Sequence, residues 1–97
     1  MRIALERDRK RLEEIKGVVM LRERFNTLTR REQEVMACVT AGMLNKQIAE
    51  EIGIRLSTVK AHRGNVIRKM GTRSVPDLTR IADILGVDRP AKVENAS

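Results

Sequence analysis

The chain has no tryptophan and no tyrosine, and Phe25 is its one aromatic residue. A core must therefore be built from Val, Ile, Leu, Met and Ala, which at helical spacing favours an all-α domain over a β-sandwich. The same poverty argues against modules that hold single-stranded nucleic acid by stacking bases on aromatic rings. One cysteine, Cys38, cannot close an intramolecular disulfide, so nothing here requires an oxidising compartment. No apolar run approaches the roughly 20 residues that span a bilayer, and the first residues lack the apolar stretch of a signal peptide; a cytoplasmic location is expected. His62 is the one histidine, and no cysteine pair or acidic dyad accompanies it. No enzyme, metal or cofactor reading gains support from such a set, and a packed His62 is the expectation.

Positive charge is what the chain has in excess. Twenty Lys and Arg stand against thirteen Asp and Glu, a net charge of +7. The excess lies in the first two thirds, and it includes a stretch, Ile52 to Pro76, with no carboxylate at all. Within it, Ile54 to Met70 reads IRLSTVKAHRGNVIRKM. Wound as an α-helix, this segment places Val59, His62, Val66 and Met70 on one side, and Lys60, Ala61, Gly64, Asn65 and Arg68 on the other. The second face is small in its middle and basic at its ends, which suits entry into a DNA major groove, flat against base edges with cations in reach of phosphates. A solvated basic surface is the plainer use of such a face.

Residues 2 to 16 are strong helix formers, and Leu5, Leu12 and Val19 recur every seven residues beside Ile15. This narrow stripe fits either a short coiled coil or a linker helix that leans on a partner domain. Gly17 is placed to break or kink it. Thr29 to Glu32, T-R-R-E, forms a capping box, after which Val35, Met36 and Val39 follow at helical spacing until Gly42 turns the chain. Cys38 flanks that face as a small buried hydrophobe. A shorter helix is expected from Asn45 as N-cap, with Ile48, Ala49 and Ile52 inward and Gly53 ending it. Its N-terminal amides and Lys46 offer a phosphate site. Two helices joined by so tight a glycine-bearing turn make a helix-turn-helix whose second helix enters the groove. Gly71 closes that helix. Ser74 to Asp77, S-x-x-D, then caps a last one with Pro76 in its first turn. Leu78, Ile81, Ala82 and Leu85 form its apolar stripe, part to complete the core, any exposed part to serve as a dimer contact. Gly86 ends it, and residues 87–97 are expected to be a flexible tail.

The segments LTRREQEV (28–35), AGMLNKQIA (41–49), STVKAHR (57–63) and RKMG (68–71) together resemble the LuxR-type DNA-binding domain, with the FixJ and NarL subgroup of two-component response regulators nearest in character. The resemblance covers residues 28 to about 86 and implies a four-helix domain without a wing. Residues 1–27 resemble the linker that follows an N-terminal receiver domain, so a longer parent is expected. The family's base readers fall on Lys60, Ala61 and Gly64, with Ser57 at the helix start. Its phosphate contacts fall on Asn45, Lys46, Thr58, Arg63 and Lys69. Arg55 departs from the family's usual serine, which leaves the N-cap of the helix to Ser57 or to a looser first turn. Gly64 stands where some relatives carry a long basic side chain, shifting sequence preference towards DNA shape or towards Asn65 and Arg68.

The expectation is thus a sequence-specific, double-stranded promoter-DNA-binding effector acting as a homodimer, working with RNA polymerase and with a sensor histidine kinase that acts through the receiver. A protein-interaction module and a sigma-factor-like promoter-reading domain are the alternatives.

Overall fold

A computed structural model describes residues 2–89, with side chains from residue 12 onward. Five helices follow one another: α1 (Arg2–Asn26), α2 (Arg30–Thr40), α3 (Asn45–Ile52), α4 (Leu56–Met70) and α5 (Val75–Leu85). The fold is all-α, a four-helix helix-turn-helix unit preceded by a charged helix. Among the described residues no helix is long and apolar enough to cross a membrane.

Helix starts follow local chemistry in two of the four shorter cases. The Thr29 hydroxyl accepts from the Glu32 amide (3.2 Å) while the Glu32 carboxylate accepts from the Thr29 amide (2.9 Å), the reciprocal pair that satisfies two otherwise orphaned donors. Ser74 Oγ accepts from the Asp77 amide (3.2 Å). The α3 start differs from expectation. Leu44 is the N-cap, its amide donating to Gln47 Oε1 at 2.8 Å, and Asn45 is the first helical residue. Its oxygen is free for a distant partner because Gln47 already serves the cap.

The interior is aliphatic. Val35 and Met36 of α2, Ile48 of α3, Val59, Val66 and Met70 of α4 and Leu78 of α5 are sealed from solvent, and Cys38 lies beside them. Each such side chain contributes about 1.5–3 kcal/mol on burial, most of it offset by lost chain entropy. Helices α2 and α4 share the centre, α2 packed against α3, α4 and α5, and α4 against α1, α2 and α3.

Three residues, Gly53 to Arg55, separate α3 from α4. Gly53 takes the left-handed conformation (φ 68°) that turns the chain sharply, and Ile54 tucks against the core behind it.

Three expectations are corrected here. Helix α1 runs unbroken through Gly17, whose place in the exposed stretch 12–20 leaves nothing to bend against. Its stripe of Leu12, Ile15 and Val19 is about half exposed, and the Leu5 side chain lies outside the described residues. Among the side chains described, it is the end of α1 that docks, where Leu21 and Phe25 pack on the core. The tail does not begin at residue 87: Val87 is half-buried against the core, and Arg89 pairs with Asp83 (2.6 Å) and donates to Thr40 O (3.4 Å). Residues 90–97 lie outside the described residues. The α5 stripe is mostly core, with Leu78, Ala82 and Leu85 buried. A side chain sealed inside its own domain offers no face to a second copy, so of the four dimer residues only half-buried Ile81 stays near the surface, with exposed Ile84 beyond it.

Candidate nucleic-acid interface

Because Val59, Val66 and Met70 bind α4 to the core, the opposite side of that helix must face outward. It presents Ser57, Lys60, Ala61, Gly64 and Arg68, all exposed, with half-buried Asn65 at its edge. Arg68 Nη2 donates to Asn65 Oδ1 (3.2 Å), so these two long polar side chains hold one another one turn apart. His62 is half-buried on the inner flank.

Gly64 carries a physical oddity. A glycine inside a helix costs about 1 kcal/mol relative to alanine. Yet a Cβ at this position would meet nothing within 4 Å. The fold therefore has no use for the missing side chain; what it leaves is a flat place in the middle of the outward face.

The N-cap of α4 is Arg55, which makes no side-chain cap, and Ser57 sits one residue inside the helix rather than replacing it. The amides of this first turn consequently stay open, and Leu56 beside them is 42% exposed. Leu44, at the start of α3, is exposed as well. Neither leucine stood out in the sequence, because each falls at a position where periodicity alone reads as helix edge.

The expected phosphate contacts separate into two groups. Lys46 is exposed at the start of α3 and Thr58 is half-buried at the start of α4. Arg63 Nη1 donates to Asn45 Oδ1 at 2.9 Å, joining the two helices across 18 residues and leaving the other guanidinium donors free. Lys69 differs. Its ammonium donates to Glu32 Oε1 (2.7 Å) and to Thr27 O (3.4 Å), with only 27% of its side chain exposed, so most of its donors belong to the fold and it is not a free phosphate contact.

Burial pushes the Glu32 carboxyl up, but hydrogen bonding and attraction from Lys69, together with the Thr29 amide and hydroxyl, outweigh that and hold it below the usual carboxylate value. The Cys38 thiol is pushed up by burial and by the carboxylates of Glu51 and Glu34, which keeps it protonated and inert. Among the described residues, salt bridges engage Arg30 and Arg31 with Glu34, Lys69 with Glu32, and Arg89 with Asp83. Lys46, Lys60, Arg63 and Arg68 are in none of them, so the outward side of α3 and α4 carries cations without carboxylate partners. No group of three or more His, Cys, Asp or Glu is placed to hold a metal among those residues.

Residues 26–82 match the family described as bacterial regulatory proteins, luxR family. The chain is 49% identical over 84 residues to nodulation protein W of Bradyrhizobium diazoefficiens, covering 87% of this chain and 37% of that protein. It is 46% identical over 65 residues to the response regulator protein TodT of Pseudomonas putida, covering 67% of this chain and 29% of TodT. It is also 45% identical over 62 residues to the transcriptional regulatory protein FixJ of Rhizobium meliloti, covering 64% of this chain and 30% of FixJ. The chain thus spans well under half the length of these relatives. Among solved structures, the response regulator StyR superposes with a TM-score of 0.70 at 38% identity, covering 81% of this chain and 39% of StyR.

Proposed function

We propose that this chain, which belongs to the luxR family of bacterial regulatory proteins, is the effector region of a two-component response regulator and binds a specific double-stranded DNA site to control transcription. The observation that carries the proposal is the outward face of α4: exposed Lys60 and Arg68 flank Ala61 and Gly64, in a stretch without a single carboxylate. Such a face can approach base edges closely, and Gly64 widens that approach at the expense of helix propensity.

In this reading Lys60, Ala61, Gly64 and Ser57 meet base edges, and the Arg68–Asn65 pair extends the contact. Lys46, Thr58 and the Asn45-bound Arg63 anchor phosphates. Residues 1–27 serve as a linker from a receiver domain, through which a sensor histidine kinase acts, and residues 28–86 form the DNA-binding unit. Two copies would meet adjacent half-sites about 10 bp apart, bringing both recognition helices to one side of the duplex, with RNA polymerase as the downstream partner.

Selection of bound sequences from a random duplex pool at near-physiological salt tests this directly. A short, roughly palindromic motif is the expected result. On that site Lys60→Ala should cost about 1–3 kcal/mol, whereas Lys46→Ala should weaken binding to all sequences alike and lower the salt dependence by about one counterion. Equal losses on specific and random DNA for both variants would remove the base-reading assignment. A chain that selects no sequence and binds duplex with a weak salt dependence would be a protein-interaction module instead.

A further inference from the structure

The end of α1 is tied to the end of α4 in both directions. Arg24 Nη1 donates to Met70 O (3.2 Å), the last carbonyl of the helix, which the helix itself cannot satisfy. From the other side Lys69 of α4 donates to Thr27 O just beyond α1. Gly71 makes room for the first of these bonds. Its φ of 67° ends α4, and a Cβ there would collide with the Arg24 guanidinium, standing 3.2 Å from Cζ and nearer still to Nη1. Arg22, two residues earlier and so on another side of α1, donates to Leu85 O at the end of α5 (2.7 Å) and lies 5.9 Å above the Phe25 ring. A cation at a helix C-terminus is favourable both as a donor and against the helix dipole. Arg22 and Arg24 stand before the segment that matches the family, 26–82, in a stretch whose charge the sequence offers simply as solvated surface.

We infer that Arg24 is a positioning residue for the recognition helix: its grip on Met70 O holds the final turn of α4, and Arg68 on that turn, in the geometry that meets DNA. The inference rests on the DNA-binding reading of α4 above. Arg68 lies two residues before the gripped carbonyl and in the same turn. If that turn frays, Arg68 loses both its pairing with Asn65 and its aim. Helix α1 is then a working part of the interface without touching the duplex, and Arg22 keeps it seated so that Arg24 stays on target.

The test uses the full 97-residue chain, the duplex recovered by selection, and the variants Arg24→Ala, Arg24→Lys, Arg68→Ala and the Arg24→Ala/Arg68→Ala pair. Affinity is read by fluorescence anisotropy, and amide exchange at Gly71 and Thr72, whose N–H groups donate to Arg68 O and Ile67 O, by NMR. Arg24→Ala should weaken specific binding about three- to tenfold, the scale of one hydrogen bond to a backbone carbonyl. Arg24→Lys, still a cationic donor and only one bond shorter than Nη1, should retain much of the affinity. The double variant should bind no worse than Arg68→Ala alone. Exchange at Gly71 and Thr72 should quicken several-fold in Arg24→Ala while amides within α2 stay unchanged. Additive losses, or an Arg24→Lys variant that binds with full affinity while exchange at Gly71 and Thr72 quickens, would make Arg24 a phosphate contact in its own right and overturn the inference. Unchanged exchange at the two amides would overturn it without any DNA present. A chain that selects no duplex, yet shows the quickened exchange, would retain the grip on α4 and lose the DNA-binding reading instead.

Discussion

Replacing Glu32 by Gln isolates the ionic part of the joint between α2 and α4. Glu32 is 2% exposed, and one oxygen, Oε1, accepts from both the Thr29 amide and the Lys69 ammonium. Gln keeps the shape and an acceptor oxygen but not the charge. A hydrogen bond to a charged group contributes about 1.5–3 kcal/mol and a neutral one about 0.5–1.5 kcal/mol, so the substitution should cost roughly 1–2 kcal/mol. The 27% of the Lys69 side chain still in water keeps the loss towards the lower figure. For a domain of this size each kcal/mol moves Tm by about 4–8 °C, giving a fall of roughly 5–15 °C. The pH dependence is the sharper readout. Because the folded-state pKa of Glu32 lies below the ordinary 4.5, its stabilisation is fully present above that value and drains away as pH falls through the folded one. Thermal unfolding followed by far-UV circular dichroism, from neutral pH down to about pH 3 to cover that window, should show the parent losing stability more steeply than Glu32→Gln. A variant as stable as its parent at neutral pH, or one with the same acid slope, would refute the assignment.

Gly53→Ala should destabilise by about 1–2 kcal/mol through its left-handed backbone alone, since the new Cβ has no neighbour within 4 Å; urea unfolding midpoints would register it. Met36→Ala, at a fully buried site, should cost about 2–5 kcal/mol in the same assay. Cys38 should react with a thiol reagent only as fast as the domain opens, and a burst of labelling in native buffer would contradict its burial.

Features governed by a few adjacent residues were legible in the sequence. The caps at Thr29 and Ser74 and the stops at Gly53, Gly71 and Gly86 depend on bonds that span three or four positions, and local rules see them whole. Asn45 shows where such rules end. Asparagine is a good N-cap, but its oxygen is taken by Arg63, 18 residues away, and the chain caps α3 through Gln47 instead. Periodicity located the stripe of Leu78, Ala82 and Leu85 correctly, but cannot say whether an apolar stripe turns towards its own core or a second copy. The outward face of α4 was visible because burial of Val59, Val66 and Met70 dictates it by geometry. The roles of Arg22, Arg24 and Lys69 were hidden, since a cation's partner is here a carbonyl or carboxylate brought from another helix, and nothing in a charged stretch names it.

The single aromatic residue also gives the molecule an optical address. With no tryptophan or tyrosine, near-ultraviolet ellipticity can come only from Phe25, whose ring lies where α1 meets the rest of the fold, beneath the Arg22 guanidinium. These 97 residues thus contain a label-free chromophore at the very joint through which α1 is attached. Any ligand, partner or covalent change that lifts that helix would register as a change in one ring's signal against a silent background.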